Sequence, residues 1–287
     1  MGRNSSIEWT HHTFNPWWGC AKVSPACAHC YAESWARRVG LQLWGRVTPR
    51  RFFSDQHWRE PLKWNRDAER QSQRKRVFCA SMADVFEERE DLDPWRARLW
   101  ALIRDTPWLD WLLLTKRPEN ARRMVPWRDC WPPNVWFGTT VENQTYARKR
   151  IPILLQAPAL THFLSCEPVL GPLELSAWLG HSTLSDKGID WIIAGGESGP
   201  RARPMDPRWA LALRDQCLSA GVAFHFKQWG NWRPVEREAV NGHRSRLLQT
   251  HNGVPIHVVH LGKKAAGRDL DGRNWDQLPM TGLPIST

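Results

Sequence analysis

Tyrosine is nearly missing from this chain of 287 residues: there are two, against nine phenylalanines and twenty tryptophans. Total aromatic content is only 11%, so tryptophan has taken the places of other aromatics, and most of its rings are expected in the core. No apolar run approaches the ~20 residues that span a bilayer, so neither a transmembrane helix nor a membrane partner is expected. The opening stretch from Met1 to Trp9 lacks an apolar signal region, so a cytoplasmic protein is expected. Thiols stay reduced in that compartment, where clustered cysteines mean metal or catalysis and not disulfides. No low-complexity tract is present, nor any repeat beyond a strand–helix unit. Acidic residues fall short of basic ones, 29 against 40, and the net charge of +11 points to an anionic partner.

What is present is a concentration of sulfur. Cys20, Cys27 and Cys30 are three of seven cysteines, and the last two form a C-x-x-C. A C-x-x-C turn aims two sulfurs at one point, and Cys20 can return across a loop whose Ser24-Pro25 provides turn chemistry. No fourth cysteine lies nearby. A structural zinc is normally closed by four ligands, whereas a reactive centre keeps a position open. His11 and His12 are close in sequence but read better as ordinary polar histidines. Cys79, Cys130, Cys166 and Cys217 are scattered, and most are expected as small buried hydrophobes.

From residue 77 onward an apolar run, a polar elbow and a helical stretch recur. Strands are expected at 76–80, 111–114, 135–138, 161–164, 191–194 and 222–226. Helices are expected at 31–38, from Asp93 to about Ile103, from about Glu119, from 143 to about Leu155, and from Pro207 to Ala220 with Gly221 as the stop. With a short N-terminal strand this makes about seven units of parallel β/α architecture, a partial or near-complete TIM-like barrel over residues 1–230. Residues from about 41 to 76 read as an irregular basic insertion, and residues 231–287 as a small C-terminal extension. All the polar elbows end strands, as does the cysteine loop, so they share the mouth where such a barrel does its chemistry.

Cys-x6-Cys-x2-Cys, with the aromatic His29 before the last cysteine, resembles a widened radical S-adenosylmethionine (SAM) signature. The stretch from Trp9 to Glu33, together with Leu114 to Glu119, Thr140 to Asn143, Ser165 to Pro168, Gly195 to Pro200 and Lys227 to Gly230, is closer to an uncharacterised, phage-associated family of radical-SAM-like proteins. The resemblance implies a barrel of the radical SAM type. Cys20, Cys27 and Cys30 would hold a [4Fe–4S] cluster whose open iron binds SAM, and reductive cleavage of SAM would give a 5′-deoxyadenosyl radical. Ser81 or Asp84 is then expected at the SAM amino group, and Thr140, Glu142 and Asn143 at its ribose. Gly195 and Gly196, with Glu197, are expected beside adenine, although the superfamily's Gly-Gly-Glu follows an earlier strand. Lys116, Glu167 and Lys227 are expected in catalysis, and Arg117, Gln228 and Arg201 as contacts to an anionic substrate.

Basic charge and rim cations favour a nucleic-acid base or nucleotide as the substrate, modified or repaired, with an electron donor and room for an accessory protein. Two other readings compete: a zinc- or cluster-binding nucleic-acid module without radical catalysis, and a cluster-bearing scaffold that works through a partner.

Overall fold

A computed structural model describes residues 4–180, 187–236, 244–248 and 255–280. Residues 237–243, 249–254 and 281–287 of the expected extension lie outside the described residues. In chain order the elements begin with β1 (His12–Thr13), β2 (Trp17–Trp18), α1 (Tyr31–Arg38), β3 (Arg51–Phe52), α2 (Asp55–Arg70), β4 (Lys75–Cys79) and α3 (Asp93–Arg104). They continue with β5 (Leu109–Thr115), α4 (Ala121–Met124), β6 (Val135–Thr140), α5 (Gln144–Leu154), β7 (Thr161–Cys166), β8 (Trp191–Gly195), α6 (Pro207–Ala220) and β9 (Ala223–Gln228). The chain closes with β10 (Trp232–Val235), β11 (Ser245–Leu248), β12 (Ile256–His260) and α7 (Lys263–Ala266).

Seven strands form one sheet in the order β1-β4-β5-β6-β7-β8-β9, and every neighbouring pair is parallel. The sheet curls into an open, TIM-like half-barrel. Its strands are near-continuous apolar runs because both faces are covered. Toward the helices, Val77, Trp111, Phe137, Leu164, Ile192 and Phe224 join the main core. On the inner face, Phe78, Leu112, Trp136, Phe163 and Trp191 close around Trp9 from the N-terminal segment. Gly138 is required there: a Cβ would stand 2.4 Å from the Phe163 ring.

The residues along each strand alternate faces, so the inner face can be read upward from this aromatic plug. It runs Leu112, Leu114, Lys116 after β5; Trp136, Gly138, Thr140 on β6; Phe163, Ser165, Glu167 after β7; and Ala223, His225, Lys227 on β9. Apolar side chains fill the bottom and polar ones the carboxyl ends.

The stretch expected as an irregular insertion contains a long helix. Residues 55–70 form the 16-residue α2, with Pro61 inside it. Trp58, Pro61, Trp64, Asn65 and Ala68 recur at helical spacing and are buried, which outweighs the lost backbone bond at proline. Residues 41–50 are irregular but ordered by Arg50, which pairs with Glu87 at 2.6 Å and donates to the carbonyls of Leu43, Gly45 and Thr48. The helix expected from Glu119 shrinks to a 3-10 turn and the four-residue α4. By contrast, α6 runs from Pro207 to Ala220 as expected, capped by Asp206 and stopped by Gly221 at φ +66°. All twenty tryptophans are buried or half-buried. Cys79, Cys166 and Cys217 are buried and Cys130 is exposed. Among the described residues no helix is long and apolar enough to cross a membrane.

The C-terminal segment covers the edge strand β9: Phe226 N donates to Trp275 O at 2.9 Å, and Gln277 N to Phe224 O at 3.2 Å. Beneath it His225 is 2% exposed, and burial, with the nearby Arg268 charge, lowers its pKa to about 4. An unfolded histidine titrates near 6.5, so the unfolded chain binds the extra proton first as pH falls. The stability held by neutral His225 is therefore full above pH ~6.5 and is lost on the way to about 4, roughly 1 kcal/mol of it by pH ~5.5. Urea midpoints measured between neutral pH and pH ~5.5 are expected to fall less in His225→Gln than in the parent. Equal falls would refute this assignment.

Candidate functional site

Above the aromatic plug, at the carboxyl ends of the strands, lies a cavity of about 410 Å³. This is within the ordinary range for a small-molecule site. Ile7, Trp9, Phe78 and Leu114 line its apolar floor. Its rim carries Cys20, Cys27, Cys30, Ser81, Asp84, Lys116, Arg117, Thr140, Glu167, Gly196, Glu197, Lys227 and Gln228. Most of the expected site residues therefore do meet; Glu142, Asn143, Gly195 and Arg201 are not among the lining.

The cysteine loop is held at both ends. Gly19 N donates to Met82 O at 3.0 Å, and Cys20 bridges Trp44 in a short parallel contact. Gly19 has φ +114°, and a Cβ there would lie 2.6 Å from Leu43 O. Cys27 ends a 3-10 turn and Cys30 precedes α1. All three thiols are free and half-buried. Burial, reinforced by Asp84 and opposed by Arg117, pushes the Cys20 thiol up to about 12, and burial also raises Cys30. Among the described residues, no three His, Cys, Asp or Glu side chains are drawn together to hold a single metal ion. His11 and His12 do not line the cavity; His12 stacks on Trp64 at 4.5 Å.

Two carboxylates expected to face SAM are bound to protein cations. Asp84 takes Arg117 Nη1 at 2.9 Å, Thr115 Oγ1 at 2.7 Å, Lys116 N at 3.0 Å and Phe86 N at 3.1 Å. Burial opposes its charge, but Arg117 and these donors hold the carboxyl below its usual range. Arg117, expected at a substrate anion, is spent on Asp84, on Ala21 O at 2.7 Å and on Cys20 Sγ at 3.8 Å. Glu197 accepts from Arg203 Nη2 at 2.5 Å, from Arg203 N at 2.8 Å and pairs with His29 Nδ1 at 3.0 Å. Again burial works against the charge, and the Arg203 and His29 hydrogen bonds lower the pKa.

The ribose and adenine expectations change too. Glu142 is fully buried against Arg150 at 2.9 Å, and Asn143 caps α5 by accepting from Tyr146 N at 3.2 Å. Only Thr140 of that group lines the cavity. Gly195 and Gly196 admit close protein neighbours, since their Cβ atoms would meet Glu167 Oε1 at 2.9 Å and Trp229 O at 2.0 Å, and Gly196 alone of the two lines the cavity. Ser81 Oγ accepts from Asn15 Nδ2 at 3.0 Å.

Among the catalytic candidates, Glu167 pairs with Lys227 at 3.0 Å and not with Lys116. Lys116 is half-buried and has no ion-pair partner among the described residues. Gln228 donates Nε2 to Ser198 Oγ at 3.0 Å, while its buried Oε1 has no partner among the described residues. Arg201 is exposed and outside the cavity. Sequence reasoning missed the roles of His29, Arg203 and Asn15; only the placing of a histidine inside the C-x-x-C beside a distant Gly-Gly-Glu could have suggested the first.

Among solved structures, the chain is similar to a spore photoproduct lyase mutant with bound AdoMet and dinucleoside spore photoproduct. The identity is 11% over 90% of this chain and 73% of that one, with a TM-score of 0.43. A second spore photoproduct lyase mutant is 12% identical over 91% of this chain and 71% of that chain, with a TM-score of 0.46. Comparison with curated proteins gives no match. Residues 4–279 match the family described as "Protein of unknown function (DUF5131)", and the chain belongs to that family.

Proposed function

We propose that this chain is a radical SAM enzyme that modifies or repairs a nucleic-acid base or nucleotide. One observation carries the reading: the three thiols of the C-x6-C-x2-C loop line a single cavity at the carboxyl ends of a parallel half-barrel. The donor set would suit a [4Fe–4S] cluster, since three thiols line one cavity and the other four cysteines lie elsewhere. Cys20, Cys27 and Cys30 would hold it. The chemistry that cluster and SAM would supply there is radical hydrogen abstraction.

The chain's own residues bind, orient and exclude water. The apolar floor of Trp9, Phe78 and Leu114 keeps the bottom dry, which strengthens polar contacts above it. Thr140 and Gln228 are the uncharged rim side chains assigned to SAM, beside Ser81, whose Oγ accepts from Asn15. Lys116 has an ammonium free for a phosphate or carboxylate. Lys227 orients Glu167, whose carboxylate can accept a substrate N–H or O–H. Asp84, Arg117 and Glu197 act by positioning the cysteine loop.

The test is anaerobic purification followed by reduction with SAM. About four iron and four sulfide per chain and formation of 5′-deoxyadenosine are expected, with iron lost in Cys20→Ala, Cys27→Ala and Cys30→Ala. Zinc without sulfide, or an iron-loaded protein that yields no 5′-deoxyadenosine, overturns the reading.

A further inference from the structure

Part of the charge excess is neutralised by ion pairs. Arg37, Arg70, Arg74, Arg122, Arg123 and Arg150, all within the basic clusters of the sequence, are each bound to a carboxylate. By contrast Arg201, Arg244, Arg246, Lys263 and Lys264, like Arg38, Arg46, Arg148 and Lys149, are exposed and have no ion-pair partner among the described residues. Arg244, Arg246, Lys263 and Lys264 lie in the C-terminal segment that builds the small sheet and α7. The small sheet β10-β12-β11 packs Trp232 and Val258 on Ala202, and Trp232 Nε1 donates to Ala202 O at 2.7 Å. Arg201 adjoins that contact in the chain. The Arg244 and Arg246 guanidinium carbons lie 5.7 and 5.3 Å from the centre of the Trp232 ring.

This segment is fastened to the cavity. Asn231 N donates to Glu197 O at 3.0 Å, and its side chain bonds both N and O of Gly199, at 3.1 and 3.0 Å. The carbonyl of Asn231 accepts from Leu261 N and Gly262 N, at 3.0 and 3.2 Å, immediately before Lys263. Lys263 lines the cavity, the only residue beyond Gln228 to do so among the described residues.

We infer that this segment grips the sugar–phosphate backbone of a nucleic-acid strand and leads it to the cavity mouth; the inference rests on the function proposed above. Two features favour a phosphate chain over a diffuse anion. Arg244 and Arg246 share one side of an extended segment, roughly 6.6 Å apart by strand rise, about the separation of neighbouring phosphates in an extended strand. Stacking on Trp232 also holds each planar guanidinium before anything binds, so less side-chain freedom is lost on pairing with phosphate.

Fluorescence anisotropy of the full chain with a labelled single-stranded DNA of about 16 nucleotides tests the inference; RNA and duplex DNA of the same sequence are the arms that rank the source. The double variant Arg244→Glu/Arg246→Glu is expected to bind about tenfold or more weakly near 0.1 M salt. The slope of log affinity against log salt should flatten by about two phosphate contacts. Arg148→Glu/Lys149→Glu on α5, two exposed cations that do not line the cavity, should change neither. If the charge-reversed protein does not fold, Arg244→Gln/Arg246→Gln should show the same flattening with a smaller loss. Iron content and 5′-deoxyadenosine formation should stay at parent levels in the β11 variants, which separates this inference from the proposed reaction. Unchanged affinity and slope in the β11 variants overturns the inference. So does equal weakening by the α5 control, or a parent chain that binds anionic vesicles or polyglutamate but none of the three nucleic acids.

Discussion

Asp84→Ala is expected to lower folding stability by about 3–5 kcal/mol, the range for breaking a buried ion pair from one side. Asp84 and Arg117 are 5% and 7% exposed, so removing the carboxylate leaves a guanidinium with little water to turn to. The same change removes the acceptor of Thr115 Oγ1 and of the Lys116 and Phe86 amides. Unpaired buried donors cost more than the net worth of the bonds they made. In thermal unfolding the loss should appear as a fall of about 5–8 °C. Asp84→Asn keeps the shape and some acceptors and should lie between. Arg117→Met made together with Asp84→Ala removes the stranded charge and should recover much of the loss. A single variant within about 0.5 kcal/mol of the parent would show that the pair does not carry the fold as described here.

The same pair explains how much of the site could be read from the chain. Each acid and each base at the strand ends was visible, because the inner face of a parallel strand has a period of two and its polar residues emerge at the carboxyl end. What a linear reading cannot supply is which partners meet. Asp84 and Arg117 are 33 residues apart, and His29 and Glu197 are 168 apart. Convergence at the rim gives each carboxylate several cations to choose from, so Glu167 takes Lys227 over Lys116. A residue type suited to a ligand is equally suited to a neighbour, and at this rim the neighbours have taken Asp84, Arg117 and Glu197.

The fold shows the same division. Where punctuation was local the boundaries were legible, as in α6 between Pro207 and Gly221. In α2 the local signals misled. Its charges and Pro61 suggested an irregular excursion, while the stripe from Trp58 to Ala68, set by packing against the sheet, decided the outcome. The two-residue β1 carries no periodicity of its own; parallel pairing of His12 with Val77 and Thr13 with Phe78 defines it. The N-terminal segment still supplies Trp9 to the inner core, so a strand barely detectable in sequence helps to floor the cavity.

The second large effect is expected at the other end of the cysteine loop. Glu197 joins the loop after β8 to the C-x-x-C turn twice, directly through His29 and indirectly through Arg203, whose Nη2 also donates to Pro25 O at 3.0 Å. Glu197→Ala removes both links while the Asp84–Arg117 clamp on Cys20 stays intact. Arg203 is a third exposed and can recruit water when released, so the cost is set at roughly 1–3 kcal/mol, below that of Asp84. That cost should be local. The Cys27 and Ala28 amides donate to Ser24 O at 2.9 Å and Pro25 O at 3.2 Å, and their hydrogen exchange should speed up about tenfold or more for each 1.4 kcal/mol lost. Amides of β5 and β6 should keep their protection. Iron retained after reconstitution should fall with the faster exchange, because a mobile turn holds Cys27 and Cys30 less often in place for a shared group. Exchange that is unchanged at Cys27 and Ala28, or that rises equally over the central strands, would assign Glu197 to general stability and remove it from the clamp.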